Sequence, residues 1–255
     1  MRRQISLWMI LLFPGLLFAG DCGKGKIFAV IVGVSLYENH RLNLKYCDQD
    51  AKALYDVLLR HTDAGNLTLL TDKQATKKQV LAQVNKLFAK AGPDDRILFF
   101  FSGHGDKDCF LTYEAAGTNA SMISFEEVKS AFRKSNAGTK VLIADACMSG
   151  SIRENRPDDN PGTQEISSRS KKQVLVMASS RNEQISREFP HLKHGLFTYY
   201  LLKGLRGACD INNDRKISVK ELYKYLYIQV KTESKGRQIP VAWGSFDKDL
   251  PLLCW

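Results

Sequence analysis

Short, mostly apolar runs recur along the chain, and stretches with apolar residues at helical spacing separate them. The runs predict buried strands at KIFAVIVGVSLY, LTLL, RILFFFS, residues 140–145, QVLVMAS and QIPVAW. Helical spacing predicts helices over LKYCDQDAKALYDVLLRH, TKKQVLAQVNKLFAK, SFEEVKSAFRK, HGLFTYYLLKGL and SVKELYKYLYIQV. Three of these helices begin with a Ser or Thr that is followed three residues later by Glu or Gln, the spacing of a capping box. Strands that alternate with helices predict an α/β fold, with a mainly parallel sheet flanked by helices on both faces.

The first residues have the pattern of a secretory signal. A basic start precedes the apolar run Leu7–Ala19, which is too short to span a bilayer comfortably. We therefore assign residues 1–20 to a signal segment and residues 21–255 to one domain, with no transmembrane segment in the mature chain. Cys22 suggests a lipoprotein, but a lipidated cysteine normally follows a small residue and Asp21 precedes this one. The expected location is secreted or periplasmic, and lipid anchoring is disfavoured.

The charge and the cysteines weaken two further classes of protein. The net charge is +10, and removal of the two arginines within residues 1–20 leaves +8. These basic residues are scattered and not interleaved with aromatic residues, so they predict a solvated surface and not a nucleic-acid site. The six cysteines include no CxxC pair, which argues against structural zinc. Disulfides are permitted in an exported protein, but the spacing assigns no pairing.

Two chemically reactive residues follow two of the apolar strands. SGHG places His104 just after RILFFFS, and DACMSG places Cys147 just after residues 140–145. Sites in parallel sheets form at the carboxyl ends of strands, and an imidazole can activate a thiol. Gly103 and Gly105 permit a tight turn, and the backbone N–H groups of Gly105 and Cys147 could stabilise an oxyanion. The alternative is a satisfied core histidine and an inert buried cysteine.

These motifs resemble those of the caspase-like cysteine peptidases, in the metacaspase and bacterial orthocaspase branch. SGHG and DACMSG carry the resemblance, together with VIVGVSLY, LKYCDQDAKAL, HGLFTYYLLKGL and QIPVAWG, and it covers most of residues 26–245. The resemblance implies a caspase-like fold and a cysteine-type endopeptidase that needs no cofactor. It implies that Cys147 is the nucleophile and that His104 is the general base or acid.

Two aspartates suggest which substrates such a peptidase would take. By resemblance, Asp145 lies two positions before the nucleophile and lines the specificity pocket, and Cys47, Asp50 and Ala51 match a metacaspase C-x-x-D-A element. Two carboxylates in one pocket would attract a basic side chain, which implies cleavage of peptide or protein substrates after Arg or Lys. The alternative is that Asp50 lies on a solvated helix face and that Asp145 bonds its own turn.

Calcium is a possible but not a required ligand. The stretch after the SGHG motif lacks the acidic cluster through which metacaspases bind calcium. A second stretch, DINNDRKISVKE, resembles an EF-hand loop, although Arg215 stands where the loop normally has glycine. Its candidate ligands are Asp210, Asn212, Asp214, Lys216, Ser218 and Glu221. The alternative is a polar turn followed by a helix that Ser218 and Glu221 cap.

Two other functions compete with the peptidase. The first is a catalytically silent caspase-like module that binds a protein partner or calcium. The second is a cysteine acyltransferase or transglutaminase, which would need a histidine after the cysteine. His191 and His194 are the candidates, but they precede a helix and have the character of loop residues. Residues 151–172 are polar and contain two prolines, which predicts a flexible loop beside the site.

Overall fold

The structure, a computed structural model, describes residues 25–106, 108–115, 121–146, 173–179, 188–189 and 191–254. The predicted signal segment and the predicted loop 151–172 lie outside these residues. In chain order the elements are β1 (Ile27–Gly33), α1 (Cys47–Leu58), β2 (Leu67–Thr71), α2 (Lys77–Phe88), β3 (Arg96–Ser102), β4 (Gly105–Asp106), β5 (Cys109–Leu111), β6 (Met122–Ser124), α3 (Phe125–Lys134), β7 (Thr139–Asp145), β8 (Gln173–Ala178), β9 (Glu188–Phe189), β10 (His194–Gly195), α4 (Leu196–Lys203), β11 (Lys216–Ser218), α5 (Val219–Glu233), β12 (Val241–Ser245) and β13 (Pro251–Cys254).

The six longest strands form one twisted sheet, in the order β12-β8-β7-β3-β1-β2. All neighbouring pairs are parallel except β12 and β8, which are antiparallel. The chain passes from β1 to β2 on one side and then to β3 on the other side of β1, so the strand order reverses between β1 and β3. This sheet confirms the predicted mainly parallel α/β fold, and the reversal creates a crevice at the carboxyl ends of the strands.

The sheet is apolar on both faces because helices cover both. Phe28, Val30 and Val32 of β1 point into one core cluster, which also contains the buried residues of α2 and α3. Ala29 and Ile31 point into the opposite cluster, which contains the buried residues of α1, α4 and α5. Residues of a strand alternate between faces, so a strand that is buried on both sides has the continuous apolar run seen in the sequence.

Helix starts agree with the predicted caps. Ser124 and Ser218 each form a complete capping box with a glutamate three residues later. The side chain of Thr76 accepts a hydrogen bond from the Gln79 N–H at the start of α2. These caps satisfy backbone N–H groups that a helix leaves unpaired in its first turn, so they locate the helix ends.

The short strands were not predicted. β4, β5 and β6 form a small antiparallel sheet directly after His104, where no strand was predicted. β9 pairs with β10, and β11 pairs with β13. Strands of two to four residues are too short to show a period, so only their pairing in the folded chain defines them.

Two observations concern membranes and cysteines. Within the described residues, no helix is both long and apolar enough to cross a bilayer. Cys109 and Cys209 are free thiols, whereas Cys254 is disulfide-bonded. Burial raises the pKa of Cys209 to about 12, so this thiol stays protonated and belongs to the core.

Candidate active site

The two strands that precede the candidate dyad lie side by side. β3 and β7 are parallel neighbours, and Ser102 at the end of β3 is in register with Asp145 at the end of β7. His104 follows Ser102 by two positions, and Cys147 follows Asp145 by two positions. The two apolar strands that precede His104 and Cys147 are therefore neighbours in the sheet. Cys147 itself lies outside the described residues, so its pairing with His104 stays a prediction.

His104 is held from two sides. Its backbone N–H donates to the Tyr37 hydroxyl over 2.8 Å, and the two rings are tilted with centroids 5.4 Å apart. Its Nε2 lies 2.9 Å from the carbonyl oxygen of Leu42. A carbonyl only accepts, so Nε2 carries the proton of the neutral ring and the lone pair is on Nδ1. The nitrogen that can accept a proton from a nucleophile is therefore Nδ1.

The turn at His104 requires a residue without a side chain at position 103. A Cβ atom on Gly103 would lie 2.8 Å from the Tyr37 hydroxyl and 2.9 Å from the Phe101 ring. Burial raises the pKa of Tyr37 well above its usual range, so the phenol stays neutral and can accept this hydrogen bond. The close approach explains the first glycine of the SGHG motif.

The second glycine of the motif begins the small sheet after the site. Gly105 is opposite Phe110, and the neighbouring Leu111 N–H donates to the His104 carbonyl oxygen over 3.0 Å. In an antiparallel pair, hydrogen-bonded and non-bonded partners alternate, so the Gly105 N–H is turned away from β5. This orientation is compatible with the expected oxyanion contact. The other expected donor, the N–H of Cys147, lies outside the described residues.

Asp50 and Asp145 come together below this edge of the sheet. Asp50 is 1 % exposed and Asp145 is 5 % exposed. The Ser102 hydroxyl donates to Asp50 Oδ2 over 2.9 Å, and the Thr198 hydroxyl donates to Asp145 Oδ2 over 2.8 Å. A Cβ atom on Gly195 would clash with Asp145 Oδ2 and lie 3.1 Å from Asp50 Oδ2. Position 195 therefore accepts only glycine while both carboxylates keep these places.

The alternative that Asp50 lies on a solvated helix face is wrong. Asp50 faces the protein interior and not a solvated helix face, because α1 packs this side against the sheet. Asp145 accepts hydrogen bonds from the backbone N–H and the hydroxyl of Thr198 in the first turn of α4. The N-terminal end of α4 thus faces the carboxylates, which is the favourable orientation of the helix dipole toward negative charge.

His194 belongs to the same cluster, and the sequence analysis missed this role. Its Nδ1 is 2.7 Å from Asp50 Oδ1, and the Gly195 N–H is 3.3 Å from both Asp50 carboxylate oxygens. The interpretation of His194 as a loop residue is wrong, because it lies in β10 directly before α4. A usable signal was present, since His194 and Gly195 repeat the His-Gly pair of the first motif.

The electrostatics of the cluster follow from burial. The pKa of Asp50 is raised to about 7, mainly by burial and also by the negative charge of Asp145, while the hydrogen bond from His194 acts in the opposite direction. Both effects that raise the pKa come from removing a carboxylate from water and placing it near another carboxylate. The cluster is therefore poised to change its charge near neutral pH.

The EF-hand-like loop uses its side chains internally. Asp210 accepts hydrogen bonds from the N–H groups of Asp214 and Arg215, and Arg215 has a left-handed φ of 61°. Glu221 accepts from the hydroxyl and the N–H of Ser218 as the helix cap. Among the described residues, no group of three or more His, Cys, Asp or Glu side chains is arranged to hold a metal ion. Asp210 and Glu221 thus make the contacts of a capped polar turn, and calcium binding by the six candidate residues stays a prediction.

The fold is that of the caspase-like class of α/β proteins. Residues 26–251 match a family model described as Caspase domain, so the chain belongs to the caspase-domain family. This match confirms the resemblance drawn from SGHG and DACMSG. It also makes the described chain a caspase-like peptidase domain, whose family acts on protein substrates.

Two relatives are metacaspases. Metacaspase-2 of Arabidopsis thaliana is 26% identical over 264 residues, which cover 87% of this chain and 61% of the relative. Metacaspase-1 of Debaryomyces hansenii is 29% identical over 99 residues, which cover 36% of this chain and 22% of the relative. The chain thus spans less than two thirds of the length of both relatives.

Solved structures share the fold at low sequence identity. A protein from Geobacter sulfurreducens superposes with a TM-score of 0.63 and 17% identity, covering 88% of this chain and 95% of that one. Caspase-1 from Spodoptera frugiperda superposes with a TM-score of 0.63 and 14% identity, covering 88% of each chain. These similarities confirm the caspase-like fold.

Proposed function

We propose that this chain is an exported cysteine endopeptidase that cleaves its substrates after Arg or Lys through Cys147 and His104. The observation that carries the proposal is the state of the His104 ring. The Leu42 carbonyl fixes the proton on Nε2 and leaves the Nδ1 lone pair at the edge of β3, next to the strand that leads to Cys147. A base in a fixed tautomer beside a thiol is the arrangement that nucleophilic catalysis requires.

The proposed chemistry has two stages. The Cys147 sulfur attacks the scissile carbonyl carbon while its proton passes to His104 Nδ1. The N–H groups of Gly105 and Cys147 stabilise the negative oxygen that forms. His104 then returns the proton to the leaving amine, and a thioester remains. A water molecule, deprotonated by His104, hydrolyses the thioester and regenerates the thiol.

Specificity for basic side chains rests on Asp50 and Asp145. They lie close together at the end of the sheet beside the base, and burial strengthens their interaction with a cation. Both aspartates have internal hydrogen-bond donors in this structure, so a bound guanidinium or ammonium group would share the carboxylates with them. An acidic side chain would meet two negative charges and be rejected.

Location and metal dependence are further parts of the proposal. The signal pattern of residues 1–20 supports export to the periplasm or the exterior. The proposed chemistry involves only the thiol, the imidazole and backbone amides. Calcium binding by residues 210–221 stays a prediction from the sequence, and titration calorimetry with calcium chloride would test it.

The nucleophile is tested with purified wild-type protein and alanine variants. We expect Cys147→Ala to abolish cleavage of an arginyl peptide and labelling by an arginyl chloromethyl ketone. His104→Ala should lose nearly as much, and the double variant little more, because the two residues act as a unit. Cys109→Ala is the matched control, since it removes a free, partly buried thiol from another strand and should keep both activities. Near-normal turnover by Cys147→Ala would show that the nucleophile is another residue.

Specificity is tested with a peptide library that varies the residue before the cleaved bond. We expect cleavage after Arg and Lys only. Asp145→Asn should weaken kcat/KM for arginyl peptides by about 2–5 kcal/mol, the usual effect of removing one partner of a buried charge pair. Equal cleavage after aspartate and arginine by the wild type would contradict the assignment of this pocket. A folded wild type that neither cleaves nor is labelled would instead favour the silent binding module.

A further inference from the structure

His194 stands in an unusual place for a residue with no role in the proposed chemistry. Its ring nitrogen Nδ1 is 2.7 Å from a carboxylate oxygen of Asp50, whose side chain is 1 % exposed, while the His194 side chain is 21 % exposed. The imidazole is therefore the partly solvated member of a pair whose other member is buried. A histidine in this position can donate a hydrogen bond from Nδ1 to the carboxylate.

The need for such a partner comes from the two aspartates. Two ionised carboxylates at one buried position repel each other, and burial alone favours the neutral form of each. Asp50 has neutral donors from Ser102 and Gly195, but His194 is the basic side chain that forms an ion pair with it. A protonated Asp50 carries no negative charge. A guanidinium group would then find one ionised carboxylate in the pocket instead of two.

We propose that His194 is a specificity-determining positioning residue that favours the ionised form of Asp50 beside Asp145, so that the pair can accept a basic substrate side chain. This inference rests on the proposed specificity for basic residues and deepens it. His194 acts through Asp50 and does not itself contact the substrate. In its charged form it contributes a positive charge and a hydrogen bond, and in its neutral form Nδ1 can still donate the hydrogen bond.

Other titratable groups lie on the elements that surround His194. β10 packs against α1, α4 and β9. The titratable and charged groups on these elements, on the end of β7 and in the preceding turn are Cys47, Asp48, Asp50, Lys52, Tyr55 and Asp56 of α1, Asp145 of β7, Glu188 of β9, Tyr199, Tyr200 and Lys203 of α4, and His191 and Lys193 before β10. The charges that act on the Asp50 carboxyl are those of Asp145 and His194. The effect of His194 is therefore separable from that of its neighbours.

The raised pKa of Asp50, about 7, agrees with this role because the His194 hydrogen bond is the largest effect that lowers it. Removing His194 should move the protonation of Asp50 to a higher pH. The binding of a cation to the pair should then require a higher pH as well. This effect has a signature that a loss of structure does not share, because it disappears when the pH is high enough to ionise Asp50 in the variant.

The test uses Cys147→Ala protein of the full mature chain, so that no turnover occurs, and agmatine as a small guanidinium probe. Titration calorimetry from pH 5.5 to 9 measures the agmatine association constant for this protein and for added His194→Asn and His194→Ala changes. Asn keeps a hydrogen-bond donor without the charge, and Ala removes both. The association constant should rise with pH in each protein. We expect the midpoint of this rise to lie about one pH unit higher in the His194→Asn protein and higher still in the His194→Ala protein. The plateaus at high pH should agree within about threefold.

Two control variants isolate the effect. His191→Asn changes the other histidine of the same turn, and Glu188→Gln changes the acidic residue of the strand that pairs with Gly195. Both should leave the pH profile of agmatine binding in place. Thermal unfolding of every variant at pH 8 shows whether it is folded, and the Asn variant covers the case in which the Ala variant is not.

Each contrary result overturns the inference. A loss of affinity by the same factor at every pH would mean a structural role only. An unchanged profile would mean that His194 does not control Asp50, and an absence of agmatine binding would remove the basic pocket together with the role of His194. Agmatine binding needs no turnover. If the Cys147→Ala protein bound agmatine as expected while the wild type cleaved no peptide, the peptidase proposal would be refuted and the role of His194 would remain supported.

Discussion

The Tyr37 hydroxyl gives the sharpest test of how the candidate base is positioned. Tyr37→Phe removes one oxygen atom from a ring that is 1 % exposed and leaves the packing of the ring unchanged. The His104 N–H then loses its acceptor, which is 2.8 Å away in the wild type. Leaving a buried donor unpaired costs about 1–3 kcal/mol of unfolding free energy. For a chain of this size each kcal/mol corresponds to roughly 2–4 °C in Tm, so we expect a decrease of about 3–10 °C.

The same variant should impair catalysis, because the Tyr37 hydroxyl holds the backbone of the residue that provides the base. We expect kcat for an arginyl peptide to fall by about tenfold or more while KM changes little, since the specificity pocket is untouched. Tyr223→Phe is the matched control, because its hydroxyl makes a long 3.5 Å contact to the Pro240 carbonyl. Calorimetry and steady-state kinetics on both variants provide the measurements. If Tyr37→Phe were as stable and as active as Tyr223→Phe, the positioning role of this hydroxyl would be refuted.

Two further predictions concern the acidic pair. Thr198→Val should lower the unfolding free energy by about 1.5–3 kcal/mol because Asp145 loses a charged hydrogen bond, whereas Thr198→Ser keeps the hydroxyl and should lose about 1 kcal/mol for the missing methyl group. Equal losses in urea titrations of the two variants would contradict this. The pKa of Asp50 is raised from 3.8 to about 7, mainly by burial. Protonation of Asp50 therefore stabilises the folded state fully below about pH 4, and this stabilisation is lost as the pH rises through 7. Relative to Asp50→Asn, the wild type should therefore lose at most about 3 kcal/mol between pH 5 and pH 8, and an equal pH dependence of the two proteins would refute the shift.

The fold class and the location of the site could be predicted from the sequence because the signals for both are local. Apolar runs that are buried on both faces mark the parallel strands, and capping residues mark where helices start. Parallel strands have their carboxyl ends at one edge, so residues that follow two such strands are expected close together. On this basis His104 and the end of β7 were assigned to the same edge, and the register of Ser102 with Asp145 confirms it.

The EF-hand-like loop, residues 210–221, shows the opposite case, because one local pattern fits two different structures. Asp210, Asp214 and Glu221 have the spacing of ligands and also the spacing of a polar turn before a capped helix. In the folded chain Glu221 accepts a hydrogen bond from the Ser218 cap, and calcium binding by this loop stays a prediction. A pattern of side chains within one short segment does not decide between a ligand and a backbone N–H as the partner.

The sequence by itself determined the long strands, the main helices, the strand-end position of the candidate base and the family of the protein. Only the tertiary structure decided which groups surround those residues. His194 contacts Asp50 across 144 positions of the chain, and Leu42 orients His104 across 62 positions. No local periodicity records such contacts, because they form only when the helices dock onto the sheet. The charge state of Asp50 and the tautomer of His104, on which the proposed chemistry depends, are therefore properties of the folded chain.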